Sequence, residues 1–116
     1  MSKKIIKLMA DYQSWPLWWS GNEGSGNIEP KSLPISAETV ERLNRWSNVF
    51  DTQLNLDDPS TIQPLQGIRL NRFESEGIAL WQKLREELSD AYEVVYFSSL
   101  EKKLLSKPES SLLLAA

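Results

Sequence analysis

NRFESEGIALWQKLREELSDAYEVVYFSS, residues 71–99, changes its hydrophobic period halfway along. In its first part Phe73, Gly77, Leu80, Trp81, Leu84 and Leu88 recur every three or four residues, the spacing of one face of a helix. From Tyr92 to Ser99 the period becomes two: Val94, Tyr96 and Ser98 alternate with Val95, Phe97 and Ser99 in a β-branched, aromatic run that favours a strand. Asn71 is placed to cap the helix with Glu74 at the reciprocal capping-box position, and Ser89–Asp90 to end it. Gly77 lies inside the apolar stripe. A glycine there costs about 1 kcal/mol against alanine, so its position predicts the close approach of another element.

A second helical pattern precedes this one. Ser36 is an N-cap residue, Glu38 sits in the first turn, and Ile35 with Val40 has the spacing of a hydrophobic staple. Val40, Leu43, Trp46, Phe50 and Leu54 form the apolar stripe; Glu41, Arg42, Asn44, Arg45 and Asn48 form the wet face, and the helix should fade near Asn55. Residues 57–70, with two prolines and a glycine, read as a connector. Near the start, residues 4–11 (KIIKLMAD) read as a strand, with Ile6, Leu8 and Ala10 on one face and Ile5 and Met9 on the other. After Ser99 the chain reads as a short closing helix to Lys107 or a frayed end.

The expected fold class is therefore α+β: a small β-sheet of β-α-α-β order with two antiparallel helices packed against it. A single domain is expected over residues 1–107, with 108–116 a C-terminal tail that need not be ordered. The two strands either neighbour each other or lie at the two sheet edges. Two strands alone are marginal, so the segment between strand and helix either adds a third short strand or covers an edge.

That segment, Tyr12–Pro34, reads YQSWPLWWSGNEGSGNIEPKSLP. It is long for an irregular connection, which points to a functional loop. Trp15, Trp18 and Trp19 either roof the small core or anchor a partner. If the backbone is extended, Trp18 and Trp19 point to opposite sides. Trp46 and Trp81, on helical stripes, belong to the core.

Composition removes much chemistry. The chain has no Cys and no His, so thiolate zinc sites, Cys nucleophiles and His-based acid–base catalysis are excluded. Asp11, Glu23, Glu29, Asp57 and Asp58 could in principle supply an acid pair beside an aromatic loop. Asp57-Asp58-Pro59 is, however, ordinary turn chemistry, and Asp11 is placed to accept backbone N–H bonds. GNEGSGN (residues 21–27) lacks the Lys-Ser/Thr of a phosphate loop and the ligand order of a calcium loop. Lys3, Lys4, Lys7, Lys102, Lys103 and Lys107 make the ends basic in small clusters suited to solubility. The net charge is −3, with residues 20–60 acidic overall, which disfavours nucleic acid and favours a basic protein partner. No apolar stretch reaches the ~18 residues of a membrane span, and the start lacks a signal-peptide pattern. A cytoplasmic protein without cofactor or metal is expected, and its residues point to binding before catalysis.

ADYQSWPLW, GNIEPKSLPIS, the first helix with RW and FDTQLN, the DDP turn, and FESEG leading through LW into YEVVYF carry a resemblance. Over about residues 5–97 the chain resembles the immunity proteins of contact-dependent growth inhibition and related polymorphic toxin systems. The resemblance implies binding to the C-terminal domain of a cognate toxin, blocking its active site or its substrate access. Such toxins are often nucleases, whose basic substrate surfaces an acidic inhibitor complements. No contact residue is carried over. From the residues themselves, Trp15, Trp18 and Trp19 are the candidate anchors, and Glu23, Glu29, Asp57 and Asp58 the candidate steering charges. The other reading is a small ligand- or carbohydrate-binding module that uses the Trp-rich loop.

Overall fold

Two strands far apart in sequence lie side by side at the centre of the sheet. Lys4–Leu8 (β1) and Tyr92–Ser98 (β4) pair in parallel, Ile6 opposite Val94 and Leu8 opposite Tyr96. The computed structural model describes residues 4–20, 26–53 and 64–106. Within them Leu17–Ser20 (β2), Gly26–Ile28 (β3) and Lys103–Leu105 (β5) complete a five-stranded sheet of order β3-β2-β1-β4-β5. Every pairing except β1–β4 is antiparallel. The helices are Ala37–Asp51 (α1) and Gly67–Glu87 (α2), and a short 3-10 turn, Pro30–Ser32, leads into α1.

The α+β class, the antiparallel helix pair and strand β4 follow the sequence reading. Contacts from Ser36 to Glu87, Arg42 to Glu76, Trp46 to Phe73 and Thr52 to Arg69 run in opposite senses along the two helices. The β-α-α-β order is incomplete, because three further strands flank the two expected ones. The Trp-rich segment is partly sheet: LWWS is a run of aromatic β-formers and pairs with β1, Trp19 opposite Ile6. The segment after Ser99, expected as a short closing helix or a frayed end, instead forms β5. Lys102 adopts φ 58° and its N–H donates to the Ser98 carbonyl at 2.7 Å, which turns the chain back along β4.

Helix α2 starts at Gly67, a full turn before the expected cap at Asn71. Gln66 is the N-cap, and Gly67 takes φ 56°, a conformation that costs glycine little. The connector's glycine therefore opens the helix. Glu74 does not cap anything: it is fully buried, three residues before Gly77 on the inward face. It accepts hydrogen bonds from the Tyr96 hydroxyl at 2.9 Å and from the Ser98 hydroxyl. Helix α1 ends at Asp51, before the expected Asn55; Leu54, Asn55 and the tail 108–116 lie outside the described residues.

The core lies between the helices and one face of the sheet. Ile6, Leu8, Leu17, Ile28, Val94 and Tyr96 project from the strands onto Leu43, Trp46, Phe73, Leu80, Trp81 and Leu84. Both core tryptophans satisfy their single donor: Trp46 Nε1 donates to the Phe73 carbonyl and Trp81 Nε1 to the Val94 carbonyl, each at 2.8 Å. The close approach expected at Gly77 is present, since a Cβ there would lie 2.8 Å from the Trp46 ring and would meet the Tyr96 hydroxyl. Burial, together with the Glu74 carboxyl group beside it, pushes the Tyr96 phenol well above its ordinary pKa. The other sheet face carries Ile5, Lys7, Trp18 and Phe97.

The start of α1 is tied to the end of α2. Ser36 caps as expected, its hydroxyl accepting from Thr39 N–H at 3.1 Å, and Glu87 accepts from the Ser36 N–H and the Thr39 hydroxyl, both at 2.6 Å. Burial alone would raise the Glu87 pKa. The Thr39 hydroxyl, the Ser36 N–H and Lys83 outweigh it and hold the carboxyl below its usual 4.5. With the folded pKa below the unfolded one, this stabilisation is complete above the unfolded pKa and is lost as pH falls through the folded value. Urea midpoints recorded from about pH 7 down to about pH 3 should fall most steeply below 4.5. Glu87→Gln should be less stable at neutral pH and show a shallower fall; an unchanged slope in that variant would remove Glu87 from the account.

Candidate partner-binding surfaces

The segment between β1 and β2 is clamped to α1. Asp51 Oδ1 accepts from the Gln13 N–H at 2.9 Å, and the Ser47 hydroxyl donates to the Ser14 carbonyl at 3.0 Å. Asn27, on β3, closes the clamp from the other side: its Oδ1 accepts from Trp15 N–H, and its Nδ2 donates to the Trp15 and Leu17 carbonyls. Gln13 is held at φ 54° between these anchors. The result presents Trp15 at the rim of a polar hollow of about 520 Å³ lined by Asn27, Asn44, Ser47, Asn48 and Asp51. Trp15 is 43% exposed, the one exposed tryptophan among the described residues.

Trp18 and Trp19 point to opposite faces of β2, as an extended backbone requires. Trp19 lies on the helix side, packed against the core, with its ring 5.9 Å from Tyr92 and the Lys4 ammonium 5.7 Å from its centroid. Trp18 is half-buried on the other face beside Lys7, and its Nε1 donates to the Met9 carbonyl at 2.9 Å. Trp18 and Trp19 thus lie on opposite sheet faces and do not share one patch. Glu29 is exposed, and its backbone carbonyl accepts from Ser32 at the start of the 3-10 turn. Asp11 accepts from the Tyr12 N–H at 2.8 Å, the loop-organising role open to it. Glu23, Asp57 and Asp58 lie outside the described residues. Among the described residues no group of three or more carboxylates is placed to hold a metal ion, and no helix is long and apolar enough to cross a membrane.

A second hollow, of about 440 Å³, opens between α1 and α2. Arg42 and Arg45 line it from α1, Arg69 and Arg72 from α2. Trp46 and Phe73, stacked with centroids 4.5 Å apart, form its floor together with Val49, which is 40% exposed. Arg42 forms a two-pronged pair with Glu76, Nε to Oε2 at 3.1 Å and Nη2 to Oε1 at 3.2 Å. Arg45 lies 3.6 Å from Glu41 with both side chains well exposed, and Arg69 donates to the Thr52 hydroxyl at 3.4 Å. The sequence reading places Arg42 and Arg45 on a wet face and gives Arg69 and Arg72 no role. The i, i+3 spacing on each helix was the available signal; that the two pairs converge depends on how the helices pack.

The family description that matches this fold is "Serratia CdiI immunity protein-like", over residues 4–99. The match begins at the first residue of β1, runs through both helices and all of β4, and leaves β5 outside. No curated protein matches the chain.

Proposed function

We propose, because the chain belongs to the Serratia CdiI immunity protein-like family, that it neutralises the C-terminal domain of a cognate toxin by binding it one-to-one. The family match, which spans four of the five strands and both helices, carries this reading. The chain acts in the cytoplasm as an inhibitor without turnover, covering the toxin's active site or the path of its substrate. Its net charge of −3 suits a toxin with a basic substrate surface, as a nuclease has. Trp15 is the anchor on the Trp-rich segment, because it is already presented by a rigid clamp and loses little freedom on binding. Trp18, Trp19, Glu29 and the acidic positions Glu23, Asp57 and Asp58 complete the candidate contact set.

Titration calorimetry of the purified toxin domain tests this. The expected result is tight binding at a ratio of one. Trp15→Ala should weaken it about 10- to 100-fold with little loss of stability, whereas Trp19→Ala also disturbs the core and is the less clean variant. Absence of binding by the folded wild type would refute the reading. The amide-lined hollow beside Trp15 is where a small sugar-like ligand would sit under the second reading, and a change in tryptophan fluorescence on titrating saccharides would favour it.

A further inference from the structure

The arginines of this chain are not scattered. It has five, and four of them line the single cleft between α1 and α2, while none of its eight lysines does. A solvated helix face is served equally well by either residue. Arginine differs in presenting a planar fork that matches a carboxylate and in shedding its hydration more easily. The cleft already shows that geometry once, in the two-pronged pair of Arg42 with Glu76. Among the described residues Arg72 forms no ion pair and Arg69 meets a hydroxyl and no carboxylate, and the exposed Arg45–Glu41 pair is of the kind that contributes little. Guanidinium groups around an apolar floor, with a half-exposed valine at the bottom, form a surface of the composition that interface centres favour.

We infer that the α1–α2 cleft is where the toxin domain seats an acidic segment, its carboxylates on Arg45, Arg69 and Arg72 and an apolar side chain against Val49. The inference rests on the toxin-binding reading and deepens it by naming the surface and the chemistry that surface accepts. The partner is an acidic protein segment and not a nucleic acid. A phosphate backbone needs a basic track with stacking platforms. Here the charge is a compact island on a chain of net charge −3, and the Trp46 ring is already stacked on Phe73. The island also fixes orientation: a toxin that is basic elsewhere is drawn to the acidic body of the chain and can dock only with its own acidic segment on the arginines.

The test is calorimetric titration of the purified C-terminal domain of the cognate toxin, with wild type and with Arg45→Glu/Arg69→Glu/Arg72→Glu. All three positions are exposed, so the variant should keep the wild-type circular dichroism and urea midpoint. The expected result is a loss of affinity of about 100-fold or more, with a weaker response to salt than in wild type. Affinity within about threefold of wild type would overturn the cleft assignment and leave the toxin-binding reading standing. No binding by wild type would overturn both. A labelled single-stranded oligonucleotide serves as the control. Binding of it by wild type that the triple variant loses, with toxin binding unchanged, would make the cleft a nucleic-acid site and refute the inference.

Discussion

Trp81→Ala should remove most of the stability of this chain. The side chain is fully buried, stacked on Tyr96 with centroids 5.4 Å apart, and its Nε1 donates to the Val94 carbonyl in the strand at the sheet centre. Truncation opens a cavity beneath α2 that its rigid neighbours cannot fill, a change that costs about 3–5 kcal/mol. Loss of the hydrogen bond to Val94 adds about 1 kcal/mol. Domains of this size hold about 5–15 kcal/mol in total, so the variant should sit close to its unfolding midpoint at physiological temperature. Urea denaturation measures the difference directly. Trp81→Phe, which keeps most of the ring area, should lose less than half as much. A Trp81→Ala variant within about 1 kcal/mol of wild type would mean that α2 does not seat on β4 as described.

Gly77→Ala should destabilise the chain even though it improves helix propensity. In an open helix the substitution gains about 1 kcal/mol. Here the new methyl would lie 2.8 Å from the Trp46 ring and 3.0 Å from Tyr96 Cζ, and would meet the Tyr96 hydroxyl. Neither ring can withdraw. Trp46 is pinned by its bond to the Phe73 carbonyl and by its stack on Phe73, and the Tyr96 hydroxyl is held by the buried Glu74. Overpacking of this kind costs about 1–3 kcal/mol, so the net effect is a loss. In a Tyr96→Phe background part of the clash is relieved, and the same substitution should cost measurably less. A gain in urea midpoint for Gly77→Ala in the wild-type background would contradict the packing of α2 against β4.

The parts of the fold legible in the sequence are those whose pattern runs for several periods. The stripes through Leu43 and Trp46, and through Leu80, Trp81 and Leu84, are each long enough to identify a helix and its inward face, and both buried tryptophans follow from them. The alternation from Tyr92 to Ser98 identifies β4, and Gly77 announces its own close contact. Strands β2, β3 and β5, of four, three and three residues, are shorter than any window in which alternation can be told from chance. β2 and β5 form because β1 and β4 offer edges to pair with, and β3 because β2 then offers one in turn, which is tertiary information. Glu74 is a different kind of miss. Its spacing to Asn71 suits a capping box, but its spacing to Gly77, Ile78 and Trp81 puts it on the buried stripe, where Tyr96 and Ser98 supply the hydrogen bonds that make burial affordable.

The candidate surfaces were legible to a lesser degree. The tryptophan-dense segment is conspicuous, yet only the fold separates Trp15, presented on a clamp, from Trp19, packed on the core, and Trp18, on the opposite sheet face. The residues that divide them, Asn27 and Asp51, are unremarkable in sequence and matter through the backbone groups they hold. The arginine cleft was out of reach because it joins positions 42 and 45 to 69 and 72 across two helices.

The measurement that bears most directly on the central claim is growth of cells that produce the toxin domain, with and without this chain made in the same cells. The account predicts arrest in its absence and normal growth in its presence, with the two proteins recovered as a one-to-one complex. Continued arrest, with both proteins present and folded and no complex between them, would contradict it.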